Sequence, residues 1–236
     1  KKNTPVISSH QHKEVMKILS NRAKSINTKI IISQKPEKIT IDYFSTRFNV
    51  NNKSYSIPLL GEHQADNAAL AIQAVRIFKP KLNYNIINDG LINTVWPGRF
   101  HLLDKKLPIF YDVAHNQAGI NSIRNTLKYL NVHKKVGLII LKEDKDIDNI
   151  AHSLNGLFNE LIVSTIPDSQ LMGIKKLFNY LNKNNIKCKA VNPIEEAFKY
   201  MTNQAENGAI SIIFGSHYAA KSIYKFFEIN FDNVTI

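Results

Sequence analysis

Two short stretches concentrate the residue types that do chemistry. Trp96-Pro97-Gly98-Arg99 sets an arginine directly after a proline and a glycine, and thirteen residues beyond that arginine Asp112 opens the run Asp112-Val113-Ala114-His115-Asn116. Proline and glycine fix a tight backbone path, so the guanidinium that follows is held in place, and its planar fork of donors suits phosphate oxygens. The plainer alternative is a solvent-exposed loop arginine beside a packed tryptophan. Asp112 ends an apolar run, Leu107 to Tyr111. A carboxylate at such a strand tip is a frequent partner for ribose hydroxyls. His115 and Asn116 fall at the start of the next helical pattern, where free N–H groups and the positive dipole end favour an anion. Equally, Asn116 is a helix cap and His115 a hydrogen-bonded strut.

A second strand-to-helix junction repeats the arrangement. Gly215-Ser216-His217 follows the apolar run Ala209 to Phe214, and its small pair lets a carboxylate or phosphate approach a helix start, with the Ser216 hydroxyl as a donor. An ordinary serine N-cap needs no ligand. Lys142 to Asp146, "KEDKD", is either a solvated loop or a polar wall of a pocket. Further upstream, His63, Asn67, Leu70, Ala74 and Phe78 share one helix face. There Asn67 can donate and accept at once, as an adenine edge requires, or satisfy neighbouring backbone.

The elements that must hold these residues fall into two rhythms. Up to residue 58 the pattern predicts a helix over Gln11–Arg22 and β-runs over Lys29–Ile32, Ile39–Phe48 and Ser54–Pro58, the last two joined by the turn "NVNNKS". Helices are expected over Glu62–Phe78, ending before Lys79-Pro80, and over Tyr84–Asn93. From about residue 100 strands alternate with helices. The strands are Leu107–Tyr111, Lys135–Leu141, Glu160–Ser164, Ile186–Ala190 and Ala209–Phe214. The helices are Asn116–Leu130, Asp146–Phe158, Ser169–Leu181, Pro193–Gln204 and Ser216–Ile229. This rhythm implies an α/β fold, a Rossmann-like, mostly parallel sheet with helices on both faces. Ligands bind beyond the carboxyl ends of such strands, which selects Asp112–Asn116, Lys142–Asp146, Thr165–Asp168 and Gly215–His217.

Composition narrows the class. The 236 residues can bury a sizeable core, and the 44% apolar and 21% charged content is ordinary for a soluble protein. No apolar run approaches the roughly 20 residues of a membrane span, and no signal peptide opens the chain. The single cysteine, Cys188, excludes an internal disulfide and a cysteine-rich metal site, which suits the cytoplasm. The net charge of +12 is spread along the chain without a basic stripe, so nucleic acid is not the expected partner and anionic small molecules are. Neither a GxxxxGK[ST] phosphate loop nor GxGxxG, GxSxG or a paired-histidine zinc motif is present. The chain opens on Lys1 in what reads as a domain interior, and a fragment is expected.

Five motifs together resemble one family. "GEHQADNAALAIQAV" (61–75), "WPGRF" (96–100), "YDVAHNQAG" (111–119), "LKEDKDI" (141–147) and "IIFGSHY" (212–218) are similar, in order and spacing, to the folylpolyglutamate synthase and dihydrofolate synthase family of the Mur ligase superfamily. The chain departs from the common pattern at Gln117, where proline is usual, and at Val113, where glycine is. The resemblance implies an ATP-dependent, ADP-forming ligase that joins L-glutamate to folate or dihydropteroate through an acyl phosphate. It implies Asn67 at adenine, Arg99 at the ATP phosphates and Asp112 at the ribose. His115 and Ser216 would line the glutamate site and serve catalysis there, with Asn116 beside them. It also implies magnesium ions, whose ligands, like the phosphate loop, belong to a part of the family's pattern upstream of this chain. Residues 1–60 would then be the tail of the ATP-binding domain, 61–95 connecting helices and 96–236 the carboxy-terminal ligase domain. Such a piece is expected to be a cytoplasmic monomer with no turnover of its own. The rival readings are a cell-wall amino-acid ligase of the same superfamily and a free-standing nucleotide or amino-acid binding module.

Overall fold

A computed structural model describes residues 4–167 and 170–230. The chain forms two compact units, Lys1–Thr94 and Val95–Ile236.

In the first unit β1 (Val6–Ser8) and β2 (Ile30–Ile32) pair in parallel, Val6 opposite Ile30, across α1 (Lys13–Ser25). The strand β1 is absent from the sequence expectation because three residues leave no periodicity to read. An antiparallel sheet follows, β3 (Glu37–Ile41), β4 (Thr46–Val50) and β5 (Lys53–Ile57). The single run expected over Ile39–Phe48 is two strands. Asp42 reverses the chain between them, its Oδ1 accepting the N–H groups of Phe44 and Ser45 at 2.8 Å each. Between β4 and β5 the turn is Asn51-Asn52, both at positive φ (53° and 59°), the conformation a two-residue hairpin favours. Two helices complete the unit, α2 (Glu62–Phe78) and α3 (Tyr84–Ile92). Their inner faces close a core of Phe48, Val50, Tyr55, Ile57, Ala65, Ala69, Ile72 and Ile87.

The second unit is the α/β domain. Its strands are β6 (His101–Leu102), β7 (Ile109–Asp112), β8 (Lys135–Ile139), β9 (Glu160–Val163), β10 (Lys189–Ala190) and β11 (Ile210–Phe214). They lie in the order β10-β9-β8-β11-β7-β6, all parallel except β6, an antiparallel edge strand too short to be legible in the sequence. Helices α4 (Gln117–Tyr129), α5 (Ile147–Leu154), α6 (Ile174–Lys183), α7 (Ile194–Glu206) and α8 (Ala220–Phe226) cover both faces. Side chains alternate along each strand. Ile109, Tyr111, Val136, Leu138, Ile162 and Ile213 pack with Phe198, Met201 and Ile223 of α7 and α8. On the opposite face Phe158 stacks on Phe214, centroids 5.4 Å apart, and lies where a Cβ on Gly137 would meet its ring at 2.9 Å.

Several elements are shorter than expected. The helix after Asp146 stops at Leu154, because the chain turns through Gly156 at φ 64° to bring Phe158 onto the sheet. The run 216–229 divides into a 3-10 turn, His217–Ala219, and α8. Asp168 and Ser169, the expected end of a loop and start of a helix, lie outside the described residues.

The path of the strands locates a crevice. From β7 the chain passes over to β8 and continues outward to β9 and β10, then returns to insert β11 between β7 and β8. The loops leaving β7, β8 and β11 therefore meet at one edge, where an open parallel sheet binds ligands.

Candidate functional site

The Trp96–Phe100 turn is fastened by its backbone. Gly98 is buried at φ 73°, its carbonyl accepts the Val113 N–H at 2.9 Å, and a Cβ there would stand 2.9 Å from Val113 Cγ1. Phe100, at the unfavourable φ of 45°, is held by burial and by its ring against Phe110, centroids 4.9 Å apart. Its N–H donates to Asp112 Oδ2 at 2.8 Å. Arg99, between these anchors, is exposed. Trp96 is 60% exposed, so the packed tryptophan of the plainer reading is not what holds this turn.

Asp112 carries more structure than its sequence position announced. Besides Phe100, the Ala114 N–H donates to its other oxygen, Oδ1, at 2.7 Å, so one carboxylate joins the arginine turn to the loop after β7. Burial pushes its pKa up to about 6, against the opposing pull of these two N–H groups and of Arg99 and His115. Nothing in the spacing signals this cross-link, since it spans 12 residues and depends on the tertiary path of the turn.

At the next position the His115 Nδ1 lies 2.8 Å from the Val113 carbonyl. A carbonyl only accepts, so Nδ1 carries the proton and Nε2 is left as an acceptor. Asn116 Oδ1 accepts the Gly119 N–H at 2.8 Å and caps α4. Gly119 lets that first turn close on the loop, since a Cβ there would meet the Ala114 Cβ at 2.8 Å. Across a groove of about 320 Å³ lined by His115, Asn116 and Gln117 stand Lys145, Asp146 and Asn149. Asp146 caps α5 through the Asn149 N–H at 3.2 Å. The Lys142–Asp146 loop is thus a folded wall, tied further by the Lys142–Asp144 pair at 3.2 Å and a backbone bridge from Lys142 to Leu171.

At β11 the chain turns on Gly215, at φ 115°, where a Cβ would stand 2.3 Å from the Ile140 carbonyl oxygen, so no other residue fits. Ser216 is buried, and its Oγ accepts the Tyr218 N–H at 3.2 Å as a cap, which leaves its own O–H free to donate. The Tyr111 hydroxyl donates to the Ser216 carbonyl at 2.8 Å.

The structure therefore gathers Arg99, Asp112, His115, Asn116 and Ser216 at the strand ends of one domain. Asn67 lies in the other unit, exposed on α2, its Nδ2 donating to Gln64 Oε1 at 3.2 Å. Among the described residues no group of three or more His, Cys, Asp and Glu side chains is placed to hold a metal ion. Among the described residues no helix is long and apolar enough to cross a membrane.

A mostly parallel sheet with helices on both faces and loops meeting at one edge defines an open α/β domain. No family model matches the chain. A curated relative, the dihydrofolate synthase/folylpolyglutamate synthase of Bacillus subtilis, is 22% identical over 240 residues, covering 95% of this chain and 55% of that protein. Among solved structures, the Mycobacterium tuberculosis folylpolyglutamate synthase complexed with ADP and AMPPCP superposes with a TM-score of 0.83 at 21% identity, over 96% of this chain and 56% of that one. An Escherichia coli enzyme in complex with DHPP and ADP superposes with a TM-score of 0.77 at 18% identity, over 97% of this chain and 54% of its own. In sequence and in fold the chain is similar to folylpolyglutamate synthases and dihydrofolate synthases. It spans about half the length of the relatives it matches.

Proposed function

We propose that this chain is the carboxy-terminal part of an ATP-dependent ligase that adds L-glutamate to a folate or to dihydropteroate. The observation that carries the reading is the gathering of Arg99, Asp112, His115, Asn116 and Ser216 at one sheet edge, with the Arg99 turn fastened to Asp112. The nucleotide-bound relatives support it. In this reading residues 1–60 are the tail of the ATP-binding domain, 61–95 its connecting helices and 96–236 the ligase domain.

The chemistry proceeds in two displacements. A folate carboxylate oxygen attacks the γ-phosphorus, the bond to ADP breaks and an acyl phosphate forms. The glutamate amine then attacks the acyl carbon, phosphate departs, and the nitrogen gives up a proton. Arg99 offsets charge on the phosphates. Asp112 has lone pairs beyond those its backbone partners use and accepts from the ribose hydroxyls, while Asn67 meets adenine. His115 Nε2 accepts from the glutamate ammonium, and Ser216 and Asn116 donate to its carboxylates. Magnesium would neutralise phosphate charge when bound, on ligands outside the described residues.

Alone, the chain lacks the phosphate loop and turns nothing over. Incubated with ATP, a folate and glutamate, it releases no ADP, and adding the remaining part of the parent protein restores release. Glutamate-dependent ADP release by the chain alone overturns the reading. So does an Arg99→Ala substitution that leaves the restored activity intact. The reading also makes the protein a cytoplasmic monomer, which gel filtration of the full parent tests.

A further inference from the structure

Tyr111 stands one residue before Asp112 on β7, and strand alternation sends its side chain to the opposite face, among the residues of α7 and α8. It is 1% exposed, and Tyr224 holds its ring edge-on, centroids 5.7 Å apart at 80°. The tip of the ring reaches the turn after β11, 105 residues further along the chain, where the hydroxyl donates to the Ser216 carbonyl at 2.8 Å. Burial pushes the pKa of that hydroxyl well above its ordinary value, so it stays protonated and remains a donor. One edge of the same ring carries the arginine turn. A Cβ on Gly98 would stand 3.4 Å from Tyr111 Cε1 and 3.8 Å from Cδ1, so the backbone beside Arg99 packs directly on this edge.

The serine turn is held from β7 at two points. The Gly215 N–H donates to the Asp112 carbonyl at 3.4 Å, and the Ser216 carbonyl receives the Tyr111 hydroxyl. Between these two anchors lies the Cα that carries the Ser216 Oγ. The first is long and at the limit of a hydrogen bond, and the second is short and buried, so Tyr111 supplies the firmer grip. A single side chain, which faces away from the Asp112 carboxylate, therefore touches both turns that bear the expected ligand contacts.

We propose that Tyr111 is a positioning residue with two separable parts: its hydroxyl fixes the Ser216 turn, and its ring seats the Gly98 backbone that presents Arg99. The functional consequence rests on the reading of Ser216 as a glutamate contact and Arg99 as a phosphate contact; the geometry does not. A donor whose turn is already fixed gives up less conformational freedom on binding, so removing the hydroxyl costs affinity without removing a contact to the ligand.

The test compares Tyr111→Phe, which keeps the ring, with Tyr111→Leu, which does not, in the full 236-residue chain. The Ser216 carbonyl carbon resonance, followed by NMR, should move in Tyr111→Phe and stay in place in the control Tyr224→Phe. L-Glutamate affinity should fall about fivefold in Tyr111→Phe, the worth of one hydrogen bond, and the loss should vanish in a Ser216→Ala background. ADP affinity should hold in Tyr111→Phe and fall in Tyr111→Leu. An unmoved Ser216 resonance overturns the proposal, as does an equal loss for both ligands in Tyr111→Phe, the mark of general loosening, or a glutamate loss that persists without the serine hydroxyl. If the wild-type chain shows no response to L-glutamate while the Ser216 resonance moves as expected, the glutamate reading falls and the positioning of the turn stands. Should Tyr111→Phe fail to fold, the wild-type chain decides, and a Ser216 carbonyl resonance in the range of an unbonded carbonyl refutes the bond.

Discussion

Replacing Asp112 with asparagine tests the central claim about the site, that a buried carboxylate ties the arginine turn to the strand end. The carboxyl titrates near pH 6 in the folded chain against an ordinary value of 3.8, because burial outweighs its two N–H donors. A folded pKa above the unfolded one means that the native state binds the proton more tightly. The stabilisation from that proton is present in full below about pH 4 and is lost as pH rises through about 6. A gap of about two units, at about 1.4 kcal/mol each, makes the loss about 3 kcal/mol. Asparagine cannot titrate, and it presents an NH2 to one of the two backbone donors, which costs about 1–3 kcal/mol at every pH. Urea unfolding of both proteins between about pH 4 and pH 8 separates the effects. The variant should be the less stable at low pH, and the difference should shrink or reverse by about 3 kcal/mol by pH 8. Other titrating groups cancel in that difference. A difference between the two proteins that stays level across the range refutes the assignment of Asp112 as a desolvated carboxylate with a raised pKa.

Gly215→Ala should destabilise the domain by more than about 3 kcal/mol, since its Cβ would stand 2.3 Å from the Ile140 carbonyl at a φ of 115°; thermal unfolding reads this, and a loss below about 1 kcal/mol contradicts the packing described. Arg124→Ala should cost about 1–3 kcal/mol, because Nη2 donates to the carbonyls of Ser153 and Asn155, at 2.7 and 2.8 Å, at the end of α5. Denaturant unfolding measures it, and an unchanged midpoint argues against the bonds.

Much of the architecture was legible because long amphipathic helices and apolar strands declare their period. Glu62–Phe78 was bounded in full by Gly61 at one end and Lys79-Pro80 at the other. The failures share a cause. The strands Val6–Ser8 and His101–Leu102 are too short to show alternation, and Ile39–Phe48 reads as one run because the Asp42 turn lies inside a β-rich stretch. Helix 146–158 was overextended because Phe158 is drawn onto the sheet by Phe214, a partner distant in sequence.

The sequence by itself determined the parallel α/β class, the junctions that could bear ligands, and the likeness to one family of ligases, since residue types and their spacing carry that information. Only the tertiary structure decided what each of those residues does within the fold. Asp112 binds two backbone N–H groups, His115 presents Nε2 because its Nδ1–H donates to the Val113 carbonyl, and Ser216 is a buried cap. Tyr111 was legible only as the end of an apolar run, and Tyr224 only as part of a helical pattern. Their importance comes from what they touch, and hydrogen bonds between residues far apart in the chain exist only once the sheet has brought β7, β11 and the last helix together.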